Sequence, residues 1–213
     1  MPAAACLSLP GEASRSGESL AIRGLGKIES TNRSVWLIRT ERGFLMHELY
    51  ILRHGIAIPH GTPGVPEDER PLTAKGEKRI KEVGRGLAAF GLELDRIITS
   101  PLPRARRTAQ IVAQELGLTD RLVTSSVLSA DSDSQTIRDW LRERHTDRLM
   151  IVGHNPSLSD LVGLLILGEV GRFPFELNKG GLAALSATPH SGRLLQLDWT
   201  APAGLLRRLC KRK

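Results

Sequence analysis

A chain of 213 residues, 40% hydrophobic and 25% charged, has ordinary globular composition and can bury one substantial core. Its longest apolar run, residues 161–167, is broken by Gly163 and falls far short of the roughly 20 residues a membrane span needs. Its two cysteines, Cys6 and Cys210, stand near opposite ends, outside any metal-ligand spacing. The net charge of +7 divides into +2 for residues 1–45, zero for 46–204 and +5 for 205–213, and aromatic content is 4%; a membrane span, a disulfide or zinc scaffold and a nucleic-acid binder are all disfavoured.

Residues 1–45 are rich in Ser, Gly and Arg and show no period of 2 or 3.6. They read as a disordered extension or a mis-assigned start, with Met46 as the initiator; Glu12, Glu18, Glu29 and Glu41 argue against a transit peptide. From residue 48 onward, apolar strand-like runs alternate with helical patterns. In chain order the expected elements are a strand over 48–52, a helix over 73–90, a strand over 96–99 and a helix over 101–116. A strand over 121–127, a helix over 134–144, a strand over 149–152 and a helix over 156–167 follow. Strands over 182–186 and 194–199, joined through residues 188–192, close the series as an edge hairpin. The pattern predicts a single α/β domain over 46–204, with a mostly parallel central sheet and helices on both faces. Residues 205–213 read as a basic tail, solvated or docked on the surface.

Two helix starts share a grammar: Ser100-Pro101 and Asn155-Pro156 each place a capping side chain before a proline expected at the first helical position. Both follow a strand directly, and ligands of open α/β sheets bind at the carboxyl ends of strands. Helix N-termini there offer N–H groups and positive dipole to an anion. Three strand ends carry basic pairings: Arg53-His54, Ser100 with Arg104, and Gly153-His154. The sheet should bring them together.

A phosphoryl group in transfer spreads negative charge over its equatorial oxygens and needs several fixed donors plus a nucleophile or a metal. Arginines and histidines supply the donors here. The sequence contains no GxxxxGK[ST] loop and no HxxEH-type zinc signature, and the strand ends carry no carboxylate cluster of the kind that selects Mg²⁺. The economical reading is covalent catalysis through histidine without metal or cofactor.

The segments LYILRHGIA (49–57), RPLTAKGEKR (70–79), IITSPLPRARRTAQ (97–110) and VGHNPSLSDLV (152–162), with a looser match at NKGGLAAL (178–185), resemble the histidine phosphatase superfamily. That superfamily includes phosphoglycerate mutases and acid phosphatases, and within it the segments look most like the short bacterial phosphohistidine phosphatases of the SixA type. The resemblance covers residues 46–200 and implies a phosphoglycerate mutase-like fold without a helical cap. It also implies that His54 attacks phosphorus, that Arg53 and Arg104 fork onto phosphoryl oxygens, and that His154, in its protonated form, is a further donor. Gly55 would let the chain turn sharply beside the ligand, and Asn155 would join the phosphate site. Arg106, Arg107, His60 and His145 read as exposed surface residues, with a mobile-loop contact as the alternative for His60, and Arg70 as a residue that orders the end of the 59–69 loop.

Members of the superfamily that cleave phosphomonoesters carry an acidic residue on an inserted segment, and only 50 residues separate Arg104 from His154. Asp131 is the candidate general acid, against a helix-capping or solvated role for both Asp131 and Asp133. The expected activity is that of a cytoplasmic phosphohistidine phosphatase acting on a phosphorylated protein, such as a histidine phosphotransfer domain of a signalling relay. Two alternatives stand beside it. One is a phosphomonoesterase for a small phosphorylated metabolite, and the other is a non-catalytic module that binds a phosphorylated partner.

Overall fold

The computed structural model describes residues 46–187 and 194–210. The 1–45 extension, the 188–192 connection and the last three residues of the basic tail lie outside the described residues.

The first strand shows how the sheet obtains two cores. Successive side chains of β1 (Glu48–Arg53) point to opposite faces, so Leu49 and Ile51 enter one apolar cluster while Tyr50 and Leu52 enter the other. All four are buried, the mark of a strand covered on both faces. β2 (Arg96–Thr99), β3 (Leu122–Thr124) and β4 (Arg148–Gly153) run parallel to β1, whereas β5 (Leu182–Ala187) and β6 (Leu195–Ala201) are antiparallel. The strand order is β3-β2-β4-β1-β5-β6.

Helices α1 (Ala74–Phe90) and α2 (Pro103–Leu116) cover one face, packing Ile80, Leu87 and Val112 against Leu52, Ile97 and Val152. Helices α3 (Ser134–Arg142) and α4 (Ser157–Leu167) cover the other, packing Ile137, Leu141, Leu158 and Leu161 against Ile51, Ile98 and Ile151. The expected α/β architecture is observed, with helices on both faces and β5–β6 as the antiparallel edge. Helix boundaries follow local chemistry. Thr73 accepts the Gly76 N–H at the start of α1, Asp133 accepts those of Gln135 and Thr136 at the start of α3, and Gly91 ends α1 in a left-handed conformation.

Three expectations are corrected. The 121–127 strand shortens to Leu122–Thr124 between two 3-10 turns, because β2 offers only four residues to pair with and the Ser125 N–H closes the ladder on the Thr99 carbonyl. Helix α2 begins at Pro103 and not at Pro101, with Leu102 at its cap position; the Ser100 hydroxyl accepts the Leu102 N–H at 3.2 Å in the turn before it. Helix α4 begins at Ser157, leaving Pro156 outside, and Asn155 does not cap it. A final helix, α5 (Ala203–Leu209), runs across the expected boundary at residue 205. Its Leu206 is buried, and a Cβ at Gly86 of α1 would meet the Leu206 carbonyl oxygen at 1.9 Å. No helix among the described residues is long and apolar enough to cross a membrane.

Candidate active site

Because β4 lies between β2 and β1, the carboxyl ends of the three strands adjoin. Arg53 pairs with Gly153 in register, the His54 N–H reaches the Gly153 carbonyl at 3.1 Å, and the Ser100 N–H reaches the Val152 carbonyl at 2.9 Å. A cavity of about 260 Å³ opens there. It is lined by Arg53, His54, Arg104, His154 and Asn155, together with Ala130, Lys179 and the loop residues Pro59, His60, Glu67 and Arg70.

His54 is 6% exposed. Its Nδ1 lies 2.7 Å from the carbonyl oxygen of Gly55, an acceptor only, so Nδ1 carries the proton and Nε2 the lone pair. Burial, opposed by that hydrogen bond and reinforced by Arg104 and Arg53, pushes its pKa down to about 4. His54 is a neutral, oriented imidazole at physiological pH, the nucleophilic form of the ring.

His154 is 2% exposed, and its ring centroid lies 5.2 Å from that of His54. Burial, then the proximity of His54, Arg104 and Arg53, pushes its pKa down to about 3. The protonated form expected from the sequence is therefore disfavoured. His154 is neutral, with Nε2 2.8 Å from the Ser100 hydroxyl and no hydrogen-bond partner for Nδ1 among the described residues. With the hydroxyl proton directed at Nε2, the ring presents Nδ1–H as a neutral donor.

The two arginines are held alike. Arg53 Nη1 donates to the Leu177 carbonyl at 2.8 Å, and Arg104 Nη1 donates to the Glu67 carbonyl at 2.9 Å. In both, Nε is buried without a partner among the described residues, and desolvation is the chief cause lowering each pKa. One donor of each fork is spent on orientation, and the remaining donors suit an oxyanion.

The segment before β5 clamps this floor. The Gly180 N–H, at a φ of 72° that favours glycine, reaches the carbonyls of Arg53 and His54 at 3.1 Å each. The same segment supplies Lys179 to the cavity. The loop between β1 and α1 supplies Glu67, whose pKa is pushed down to about 2 by hydrogen bonds from Arg70 and then His60. Among the described residues it is the carboxylate lining this cavity.

Other expectations shift. Gly55 is not in a left-handed turn. It is required by packing, since a Cβ there would meet Ile80 Cγ1 at 2.5 Å, and its N–H is committed to the Thr108 hydroxyl at 3.0 Å and not to the cavity. Asn155 does line the cavity, but its Nδ2 donates to the Leu177 carbonyl at 3.1 Å. Asp131 lies outside, exposed in a neighbouring hollow lined by Ser132, Asp133, Gln135 and Asp160. Sequence reasoning did not find Lys179, Glu67 or the Leu177 carbonyl as parts of the site. The looser NKGGLAAL match was the one available signal, and it pointed to Lys179.

The family model described as histidine phosphatase superfamily (branch 1) matches residues 49–126. An uncharacterized protein of Picosynechococcus sp. is 37% identical over 142 residues, spanning 65% of this chain and 84% of the relative. The probable phosphoglycerate mutase GpmB of Salmonella choleraesuis is 38% identical over 73 residues, 34% of this chain and 33% of that protein's length. Among solved structures, the protein histidine phosphatase SixA complexed with tungstate superposes with a TM-score of 0.63 at 22% identity, covering 74% of this chain and 97% of that one. At that identity the likeness is one of fold.

Proposed function

The chain belongs to the histidine phosphatase superfamily and is a phosphatase-type enzyme, and we propose that it hydrolyses the P–N bond of phosphohistidine on a protein, through a covalent phospho-His54. His54 Nε2 attacks phosphorus while its Nδ1–H stays on the Gly55 carbonyl. The Nε–H and remaining Nη–H donors of Arg53 and Arg104 take the phosphoryl oxygens, and His154 Nδ1–H adds a neutral donor. This is charge stabilisation by fixed donors in a water-poor site. Water then attacks phospho-His54 and releases phosphate. No step calls on a metal.

The choice of P–N over P–O rests on one observation: the carboxylate in the cavity, Glu67, is held ionised between Arg70 and His60 and has no proton to donate. An alkoxide leaving group is about as basic as hydroxide, whose conjugate acid has a pKa of about 15.7, and it departs only with protonation. A departing imidazole, with a conjugate-acid pKa of about 6.5, needs little help. The cavity has a volume of about 260 Å³ and is open to solvent at the exposed His60. It suits a phosphoryl group and the ring that bears it, with the remainder outside; a histidine phosphotransfer domain has that form.

The test compares a phosphohistidine peptide, phosphoserine and sugar phosphates. Phosphohistidine is expected to be turned over with kcat/KM at least about 100-fold above the phosphoesters, the lower range of what a positioned general acid contributes. Brief labelling should leave an acid-labile, base-stable adduct on His54, and His54→Ala should be inactive yet folded. Preference for a sugar phosphate or phosphoserine would replace this reading with that of a small-molecule phosphomonoesterase. Binding without any adduct or turnover would make the chain a recognition module.

A further inference from the structure

In-line phosphoryl transfer places the attacking and leaving groups on opposite sides of phosphorus. With His54 at the buried floor, the departing imidazole and later the attacking water must both occupy the mouth of the cavity. His60 stands at that mouth: it lines the same cavity as His54 and His154, yet its side chain is 83% exposed. Its Nδ1 lies 2.5 Å from Glu67 Oε2. An ionised carboxylate only accepts, so Nδ1 carries the proton, and Nε2 is the nitrogen left for proton exchange.

This pair is braced. Arg70 donates through Nε to Glu67 Oε2 at 2.8 Å and through Nη2 to Oε1, and Arg104 Nη2 lies 3.9 Å from Oε1. The neck of the loop is closed by Arg70 Nη1 on the Ile58 carbonyl at 2.6 Å, by the Ile58 N–H on the Pro71 carbonyl at 3.1 Å, and by a bridge between Ala57 and Leu72. A carboxylate on one imidazole nitrogen orients the ring and favours proton uptake at the other.

We propose that His60 is the general base that activates the water hydrolysing phospho-His54, with Glu67 as its positioning residue; this rests on the covalent mechanism above. In the step, the water oxygen bonds to phosphorus as the His54 Nε2–P bond breaks. The bonding pair returns to Nε2, giving neutral His54. One water proton passes to His60 Nε2, and hydrogen phosphate dianion leaves. His60 then gives the proton to the solvent that bathes it. The pair serves the second half-reaction, and the first needs no proton from it when the leaving group is an imidazole, with a conjugate-acid pKa of about 6.5.

The experiment loads the full chain with phosphoramidate, quenches in base, and follows phospho-His54 and released phosphate separately for wild type, His60→Gln and Glu67→Gln. Wild type and His60→Gln should phosphorylate His54 at similar rates. The variant should accumulate phosphoenzyme, lose at least about 100-fold in phosphate release, and be partly rescued by added imidazole. Glu67→Gln should slow the same step, and the double variant should be no slower than His60→Gln alone. Phosphate release by His60→Gln at the wild-type rate, or a defect confined to phosphorylation, would overturn the inference alone. Failure of wild type to form any adduct on His54 would overturn the covalent mechanism beneath it.

Discussion

Acidification tests the electrostatics of the site without a substrate. In the folded protein the pKa values of His54 and His154 are pushed down to about 4 and about 3, whereas in the unfolded chain both rings return to about 6.5. Between those limits the unfolded state binds more protons than the folded state, so stability falls as pH is lowered. The contribution is complete above about pH 6.5 and is lost progressively as the pH drops toward 4. At pH 5 each ring costs about 2 kcal/mol relative to pH 7.5, or about 4 kcal/mol for the pair, from the protonation equilibria at those pKa values. Against a typical total of about 5–15 kcal/mol, that is a large loss.

The assay is urea unfolding at pH 7.5 and pH 5.0 for wild type and for the His54→Gln/His154→Gln variant, extrapolated linearly to water. The carboxylates and the other histidines are present in both proteins, so the difference between the two pH dependences isolates the pair. Wild type should lose about 4 kcal/mol more than the variant. Equal losses in the two proteins would show that the imidazoles are not desolvated as described, and the account of His54 as a neutral nucleophile would fall with them. The same depression predicts a phosphorylation rate that stays flat from pH 7.5 to about pH 5 when corrected for substrate ionisation.

Gly55→Ala forces a Cβ to within 2.5 Å of Ile80 Cγ1, on a β-branched side chain that has little rotamer freedom in α1. Overpacking of this kind costs about 1–3 kcal/mol, readable as a fall in melting temperature of roughly 2–4 °C per kcal/mol, and the penalty should shrink in an Ile80→Ala background. Asp131→Asn should alter turnover of phosphohistidine by no more than about threefold, as for other exposed positions; a large loss would bring Asp131 back as an acid. Turnover should persist in excess chelator and be blocked by vanadate, and activity restored by Mg²⁺ or Zn²⁺ after chelation would mean that Arg53, Arg104 and His154 do not carry the charge.

The sheet was readable because its strands are covered on both faces and so appear as continuous apolar runs, as in 149–152, separated by helices with glycine stops such as Gly91 and Gly117. The edge was less readable: the run from Arg121 to Val127 has the composition of a longer strand, and only the length of β2 beside it decides where pairing ends. Of the site, Arg53, His54, Arg104 and His154 were legible because each follows or faces a strand end in a recognisable segment. Protonation was not. The pKa of His154 depends on its burial beside His54 and two arginines that come from separate strand ends, a juxtaposition that no local window contains. The loop contribution was hidden for a related reason, since Leu177 and the backbone of Glu67 act through carbonyls, and a carbonyl has no residue type to recognise.

Those carbonyls explain how a desolvated cationic floor is held ready. Arg53 Nε, Arg104 Nε, His154 Nδ1 and Asn155 Oδ1 lack partners among the described residues, and each buried unsatisfied group costs about 1–3 kcal/mol. The Leu177 and Glu67 carbonyls each tie down one Nη of one arginine, which fixes the plane of the fork while leaving Nε uncommitted. The donors are thereby oriented before any oxyanion arrives, and no reorganisation is required during transfer. It follows that the 59–69 loop and the segment before β5, which present no nucleophile to phosphorus, set the geometry on which His54 depends. Changes that displace the backbone carbonyls of Leu177 or Glu67 should act on the orientation of Arg53 and Arg104 without altering the sheet that carries them.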